Sequence, residues 1–255
     1  MRIKLTLSTL IPASIPINYN YFITAMIYRF LAASSQEFSA FLHDYGYRLS
    51  GSRKGFKLFT YSMLRGHHTI TGALISFTGP VTLLLSSPVM PFVQHLVNGL
   101  FSRGANLEIG PSTGRGRFRI ESVETLENPK FTRKMKFVCL SPATVSVSGD
   151  NGLPHYLRPW EEGFSDAIKH NLMRKYELVH GKKLRDSAFE VRIDNDYMNR
   201  HAGKVMKTIA FKKAKIAGYF APFTVTGSPK LLELGYEAGF GEKGSMGFGM
   251  VEAVR

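Results

Sequence analysis

Polar and apolar residues alternate from Arg2 to Leu10, the period of a half-buried strand. Between Tyr19 and Leu31 the period lengthens. Phe22, Ile23, Met26, Ile27, Phe30 and Leu31 fall on one stripe of a helix. A second short helix is expected near Gln36–Asp44, with Phe38, Phe41 and Leu42 on its apolar side. Strand-like runs follow at Lys57–Met63, Thr69–Phe77 and Pro80–Leu85. Ser87-Pro88 then reads as a helix start, with Val89, Phe92, Val93, Leu96 and Val97 as the apolar face, and strands continue to about Val123.

The remainder of the chain retraces that order. Lys134–Val147 is strand-rich, and Trp160–Tyr176 reads as an amphipathic helix through Phe164, Ala167, Ile168 and Leu172. Strands are expected at Ala188–Ile193, Val205–Phe211 and Lys215–Val225. Ser228-Pro229 opens a helix ending near Gly235, and Gly247–Val254 is a last strand. Each half therefore reads β-α-β-β-α-β, the ferredoxin-like unit. The expected class is α+β, two tandem ferredoxin-like (RRM-like) domains with extra strands, over residues 1–127 and 128–255.

Charge changes the picture. Thirty-three Lys and Arg against 19 Asp and Glu give a formal charge of +14, an excess that self-repels unless a polyanion is the partner. Nucleic acid leads and an anionic membrane surface comes second; a basic but otherwise ordinary enzyme is the plain alternative. The single cysteine, Cys139, excludes an internal disulfide and a multi-cysteine zinc site, in keeping with a reducing, cytoplasmic setting. The most apolar region, Ala73 to Leu85, is interrupted by Gly79-Pro80, so no membrane helix is expected, and the Ser-, Thr- and Pro-laced N-terminus makes a poor signal peptide.

Six glycines crowd the segment from Gly235 to Gly249, with Lys243 among them. Gly239-Phe240-Gly241-Glu242-Lys243-Gly244 matches the letters of a dinucleotide fingerprint, but a helix precedes it where that fingerprint needs a strand. Two readings fit better. The loop binds phosphate through its backbone N–H groups, or its glycines serve a tight connection alone. Tyr28 lies on the polar side of the first helix, and His43 ends the second on the side away from Phe38, Phe41 and Leu42. Lys57 follows a basic loop containing Arg48, Arg53 and Lys54; a phosphate contact and a merely solvated amine are equally open. Arg115, Arg117 and Arg119, and the stretch Lys204, Lys207, Lys212, Lys213 and Lys215, are the best tracks for an RNA backbone. Alternation is expected to put several of the latter on one sheet face. His67-His68, expected at a hairpin turn, and Asp194-Asn195-Asp196, expected as a turn, lack the partners of a metal site.

The segment Gly235-Tyr236-Glu237-Ala238-Gly239-Phe240-Gly241-Glu242-Lys243-Gly244-Ser245-Met246-Gly247-Phe248-Gly249-Met250-Val251 resembles the C-terminal signature of the CRISPR-associated repeat-processing endoribonucleases, the Cas-six family of the RAMP superfamily. The two-domain order, Leu140-Ser141-Pro142 and Lys57-Leu58-Phe59-Thr60-Tyr61-Ser62 resemble it as well. The resemblance implies a metal-independent endoribonuclease, without cofactor, that cuts CRISPR repeat RNA by 2′-hydroxyl attack. It leaves a 2′,3′-cyclic phosphate and a 5′-hydroxyl. It implies Tyr28, His43 and Lys57 as the cleavage site, with His43 the general acid or base, Lys57 stabilising the phosphorane and Tyr28 orienting or helping to deprotonate the 2′-hydroxyl. The linker from His43 to Lys57 is long for the family, so Lys54 is an alternative to Lys57. RNA contacts are expected from Lys54, Arg115, Arg117, Arg119, Lys207, Lys213, Gly239, Gly241, Lys243, Gly244 and Gly247. The same resemblance admits a non-catalytic RNA-binding subunit of a CRISPR effector complex, as monomer or homodimer. A generic RNA-binding protein of translation is the third reading.

Overall fold

A computed structural model describes residues 1–9, 13–111, 115–149, 152–201 and 203–254. In the first half the chain runs β1 (Arg2–Thr9), β2 (Ala13–Pro16), α1 (Asn20–Ser34) and α2 (Gln36–Ala40). A π-helical turn (Phe41–Tyr45) follows, then β3 (Thr60–Tyr61), β4 (Arg65–Thr71), β5 (Leu74–Ser86), α3 (Met90–Ser102), β6 (Asn106–Ile109) and β7 (Gly116–Leu126). Its sheet has the order β2-β5-β1-β7-β6, with β3 and β4 also paired to β5, all antiparallel. Alternation on β1 buries Ile3, Leu5 and Leu7 against the Ile23, Met26, Ile27, Phe30 and Leu31 stripe of α1. Helix α3 crosses α1 at Gly99, where a Cβ would stand 1.8 Å from the Phe30 carbonyl oxygen; only glycine permits that approach.

In the second half β8 (Lys134–Cys139), β9 (Ser146–Ser148), β10 (Pro154–Tyr156), α4 (Phe164–His180), β11 (Phe189–Ile193) and α5 (Asn195–Arg200) are followed by β12 (Met206–Phe211), β13 (Ala214–Tyr219), β14 (Phe223–Gly227), α6 (Pro229–Ala238) and β15 (Val251–Ala253). The main sheet, β11-β14-β8-β15, packs Phe137, Phe223, Val225 and Val251 against Ile168 and Leu172 of α4 and Leu231 and Leu232 of α6. Stripped of the short hairpin β9-β10 and of β12-β13, this is the ferredoxin-like strand order. The first half has it too, in β7-β1-β5 with β4 at the edge. The fold is α+β with two tandem ferredoxin-like units. No helix among the described residues is long and apolar enough to cross a membrane.

Several elements sit differently from their sequence signals. The strand expected over 2–10 is found over Arg2–Thr9, with Leu10 outside the described residues. Of Lys57–Met63 only Thr60–Tyr61 pairs as strand, because Leu58 takes a positive φ of 54° and turns the segment. His67 and His68 lie within β4, and the hairpin turns after Thr71, so Gly79-Pro80 does not break β5. The helix expected from Trp160 starts at Phe164, after Gly163 at φ 83°, and runs on to His180. The α3 helix begins at Met90 rather than at Ser87-Pro88; the Ser87 hydroxyl donates to the Leu58 carbonyl instead. Helix α6 continues past Gly235 to Ala238, and the last strand covers only Val251–Ala253. Asp194 caps α5, its carboxylate accepting from the Tyr197 N–H at 2.9 Å.

Candidate active site

Three side chains far apart in sequence converge where α1 meets the π-helical turn. Tyr28 projects from the flank of the buried stripe of α1, half-buried beside Phe59, and the His43 ring stands edge-on to it, with centroids 5.3 Å apart at 84°. Lys57 arrives on the irregular segment before β3 and its Nζ donates to the His43 carbonyl at 2.7 Å. That segment is tied down where Tyr47 and Phe56 exchange backbone hydrogen bonds, each 2.8 Å. His43 Nδ1 lies 2.7 Å from Asp44 Oδ1. A carboxylate on Nδ1 fixes that nitrogen as the donor and leaves Nε2 for proton transfer. Burial, and then the Asp44 carboxylate, push the Tyr28 hydroxyl pKa well above the ordinary range, so the phenol keeps its proton. Burial and neighbouring Arg48 lower the Lys57 amine from its usual value, while Asp44 opposes the shift.

The glycine loop forms the facing wall. It docks on the first half through hydrogen bonds from Asn20 Nδ2 to the Met246 carbonyl (3.0 Å), Thr24 Oγ1 to Ser245 (2.9 Å) and Thr60 Oγ1 to Phe248 (2.9 Å). A cleft of about 260 Å³ lies between the two walls, lined by Lys54, Lys57, Asn171, Lys175, Lys243 and Gly244 among others. Lys175 of α4 is 5% exposed, and its three ammonium protons match three loop carbonyls: Ala238 at 3.0 Å, Gly239 at 2.7 Å and Gly241 at 2.8 Å. Burial pushes this amine down to about 7, with Glu242 acting against the shift.

Within the loop, Gly239, Gly241 and Gly247 are buried. A Cβ on Gly241 would stand 2.3 Å from the Thr144 carbonyl oxygen, so this glycine secures close packing. The part facing solvent is residues 242–246, which holds Lys243 and Gly244. Lys54 also lines the cleft, its Nζ 2.7 Å from Glu242 Oε1, while Lys57 contacts His43 directly.

The remaining basic residues are not in this cleft. Arg115 and Arg117 both reach one carboxylate, Glu108, at 2.7 Å and 3.5 Å, and Arg119 pairs with Glu121. Lys207 shares the apolar face of the β12-β13 hairpin with Ile209, Phe211 and Ile216 and is half-buried, whereas Lys215 projects from the opposite face. The expected single basic face is therefore absent, because the hairpin uses one side to cover Phe248. Lys213 and Lys212 form its turn. Asp44 and Lys175 had no signal in the pattern of residues. Asp44 matters through its bond to His43 and its charge beside Tyr28 and Lys57, and Lys175 through carbonyls 63 to 66 residues away.

Two tandem ferredoxin-like units with a lysine-lined cleft, which Lys57 joins to a neighbouring cluster of a tyrosine, a histidine and a carboxylate, fit the RNA-handling class of protein. The family description "CRISPR associated protein Cas6, C-terminal" matches residues 126–253, and "CRISPR-associated protein Cas6, N-terminal" matches 14–114. The CRISPR-associated endoribonuclease Cas6 1 of Methanocaldococcus jannaschii is 30% identical over 267 residues, covering 100% of this chain and 93% of the relative. The CRISPR-associated endoribonuclease Cas6 of Pyrococcus furiosus is 31% identical over 242 residues, covering 93% and 83%. The solved structure of a Cas6-related gene product of Pyrococcus furiosus superposes with a TM-score of 0.84 at 24% identity, covering 100% of this chain and 98% of that one. The chain belongs to the Cas6 family of CRISPR-associated proteins, and so among the CRISPR-associated endoribonucleases and their endoribonuclease-like relatives.

Proposed function

We propose that this chain cuts the repeats of a CRISPR precursor transcript to release guide RNAs, without a metal ion, using the RNA's own 2′-hydroxyl as nucleophile. The observation that carries the reading is the convergence of Tyr28, His43 and Lys57, with Lys57 also lining the cleft between the two walls. In this mechanism the 2′-oxygen–phosphorus bond forms and the phosphorus–5′-oxygen bond breaks. One proton leaves the 2′-hydroxyl and one reaches the 5′-oxygen. His43 Nε2, free because Asp44 holds Nδ1, is the atom that moves a proton. Tyr28, held protonated by burial, orients the 2′-hydroxyl by hydrogen bonding and does not deprotonate it. Lys57, rather than Lys54, neutralises the charge that builds on the phosphorane.

In the same reading Lys54, Lys243 and Gly244 contact the strand within the cleft, and Arg115, Arg117, Arg119, Lys207 and Lys213 hold backbone outside it. Exposed ion pairs such as Arg115–Glu108 contribute little and yield readily to phosphate. The two domains divide at residues 127 and 128, in the stretch between β7 and β8. End-group analysis of the products tests the chemistry. Fragments with a 2′,3′-cyclic phosphate and a kinase-accepting 5′-hydroxyl are expected in chelator. Fragments with a 5′-phosphate and a 3′-hydroxyl would overturn the 2′-hydroxyl mechanism.

A further inference from the structure

The chain has one tryptophan, Trp160, and its side chain is left 57% exposed. It is not loosely placed. Glu161 closes the turn beneath it, accepting from the Arg158 N–H at 3.0 Å and from His155 Nε2 at 3.1 Å, while the Glu161 N–H donates to the Arg158 carbonyl at 3.0 Å. The edge of Tyr219 meets the indole with centroids 6.1 Å apart, and the Arg158 guanidinium lies 6.0 Å from the indole centroid. A large aromatic ring is thus held in position without being needed by either core.

Beside it opens a cleft of about 440 Å³ with an apolar floor of Pro159, Ile193 and Met198 and with Arg192 and Asn195 at its rim. This cleft shares Arg192 and Ile193 with a second of about 380 Å³, which carries Lys134 and Lys136 across the face of the second sheet turned away from α4 and α6. Arg158, Arg192 and Lys136 are paired with carboxylates, but at the surface, where such pairs are weak and exchange for phosphate. An aromatic face, an apolar floor and cations at phosphate reach are what a splayed single strand needs.

We propose that Trp160 is a stacking platform for an unpaired base of the bound RNA, with the adjoining phosphates tracked by Arg158, Arg192 and Lys134. The proposal rests on the RNA reading above. It places a second subsite outside the cleavage cleft, since Phe164, four residues after Trp160, lies roughly 16 Å along α4 from Lys175. Trp160 therefore contributes affinity and leaves the chemical step alone.

Because the chain has a single tryptophan, its emission reports on this site alone. The probe is fluorescein-labelled single-stranded repeat RNA carrying a 2′-deoxy sugar at the cut. Anisotropy and tryptophan emission are recorded in one titration. Emission is expected to be quenched in step with the rise in anisotropy. Trp160→Ala should bind about tenfold more weakly, Trp160→Phe should bind close to wild type, and cleavage of all-ribo RNA at saturating protein should be equal in all three. A rise in anisotropy with unchanged emission, and with Trp160→Ala binding as wild type does, overturns the platform alone. No rise in anisotropy for the wild type overturns the RNA reading and the platform with it.

Discussion

Helices α1 and α4 hold equivalent places in the two halves, each the first helix of its ferredoxin-like unit, and they spend their polar faces in opposite ways. Helix α1 holds Tyr28 half-buried and edge-on to His43. Helix α4 offers Lys175, whose amine is consumed by the carbonyls of Ala238, Gly239 and Gly241. In the proposed mechanism one unit carries the groups that react and the other shapes a wall for them. Duplicated architecture therefore does not imply duplicated chemistry. A buried lysine with three acceptors is a structural cation, whereas a lysine held by a single carbonyl, such as Lys57, keeps donors for a phosphate.

This contrast predicts that substitutions in the first half change the rate at saturating protein, and that those at Lys175 change stability. Lys57→Ala should lower single-turnover cleavage by about 10²–10³-fold, the cost typical of losing a donor to a developing anion. Lys54→Ala should cost less than about threefold in the same assay, since its amine stands against Glu242. Equal losses would erase the distinction between the two lysines. Next is Asp44→Asn, which frees the histidine tautomer. A fall of roughly tenfold or more is expected, with unchanged RNA affinity by anisotropy. Tyr28→Phe should cost about fivefold to tenfold in rate, the value of one oriented hydrogen bond.

Lys175→Met should have the smallest effect on rate, yet lose about 3 kcal/mol of stability in urea unfolding, because three buried carbonyls are left without donors. It should also alter the pH profile. With the folded pKa near 7, below the 10.5 of an unperturbed lysine, the unfolded chain takes up this proton first as pH falls. The contribution of Lys175 to stability thus rises with pH between those two values and is flat below the lower one. The difference between wild type and Lys175→Met, measured across that window, should show that slope.

Much of the architecture was legible because period-two and helical signals recur in the same order twice, as in the Ile3, Leu5, Leu7 alternation and the Ile23–Leu31 stripe. Boundaries were less legible where tertiary contacts decide them. Lys57–Met63 has the composition of a strand, yet the turn at Leu58 directs it along the glycine loop, leaving two residues paired. Tyr28 and His43 stood out only as polar groups away from the apolar stripes; the family resemblance, not the pattern, linked them to Lys57. Lys175 did not stand out. It looks like any lysine on an amphipathic helix, and only the fold brings Gly239 and Gly241 to its amine. The glycines were conspicuous, but their burial shows that packing against Thr144 and its neighbours decides at least Gly241.

The central claim is that the first half cuts RNA through His43. It is tested most directly by incubating wild-type and His43→Ala protein with labelled repeat RNA in EDTA, using all-ribo RNA and RNA with one 2′-deoxy sugar at the cut. Cleavage of the all-ribo strand by wild type alone, with about 10²–10⁴-fold loss in His43→Ala and none of the deoxy strand cut, is the expected result. Tight binding by both proteins with no cleavage by either would contradict it and leave the chain as an RNA-holding subunit.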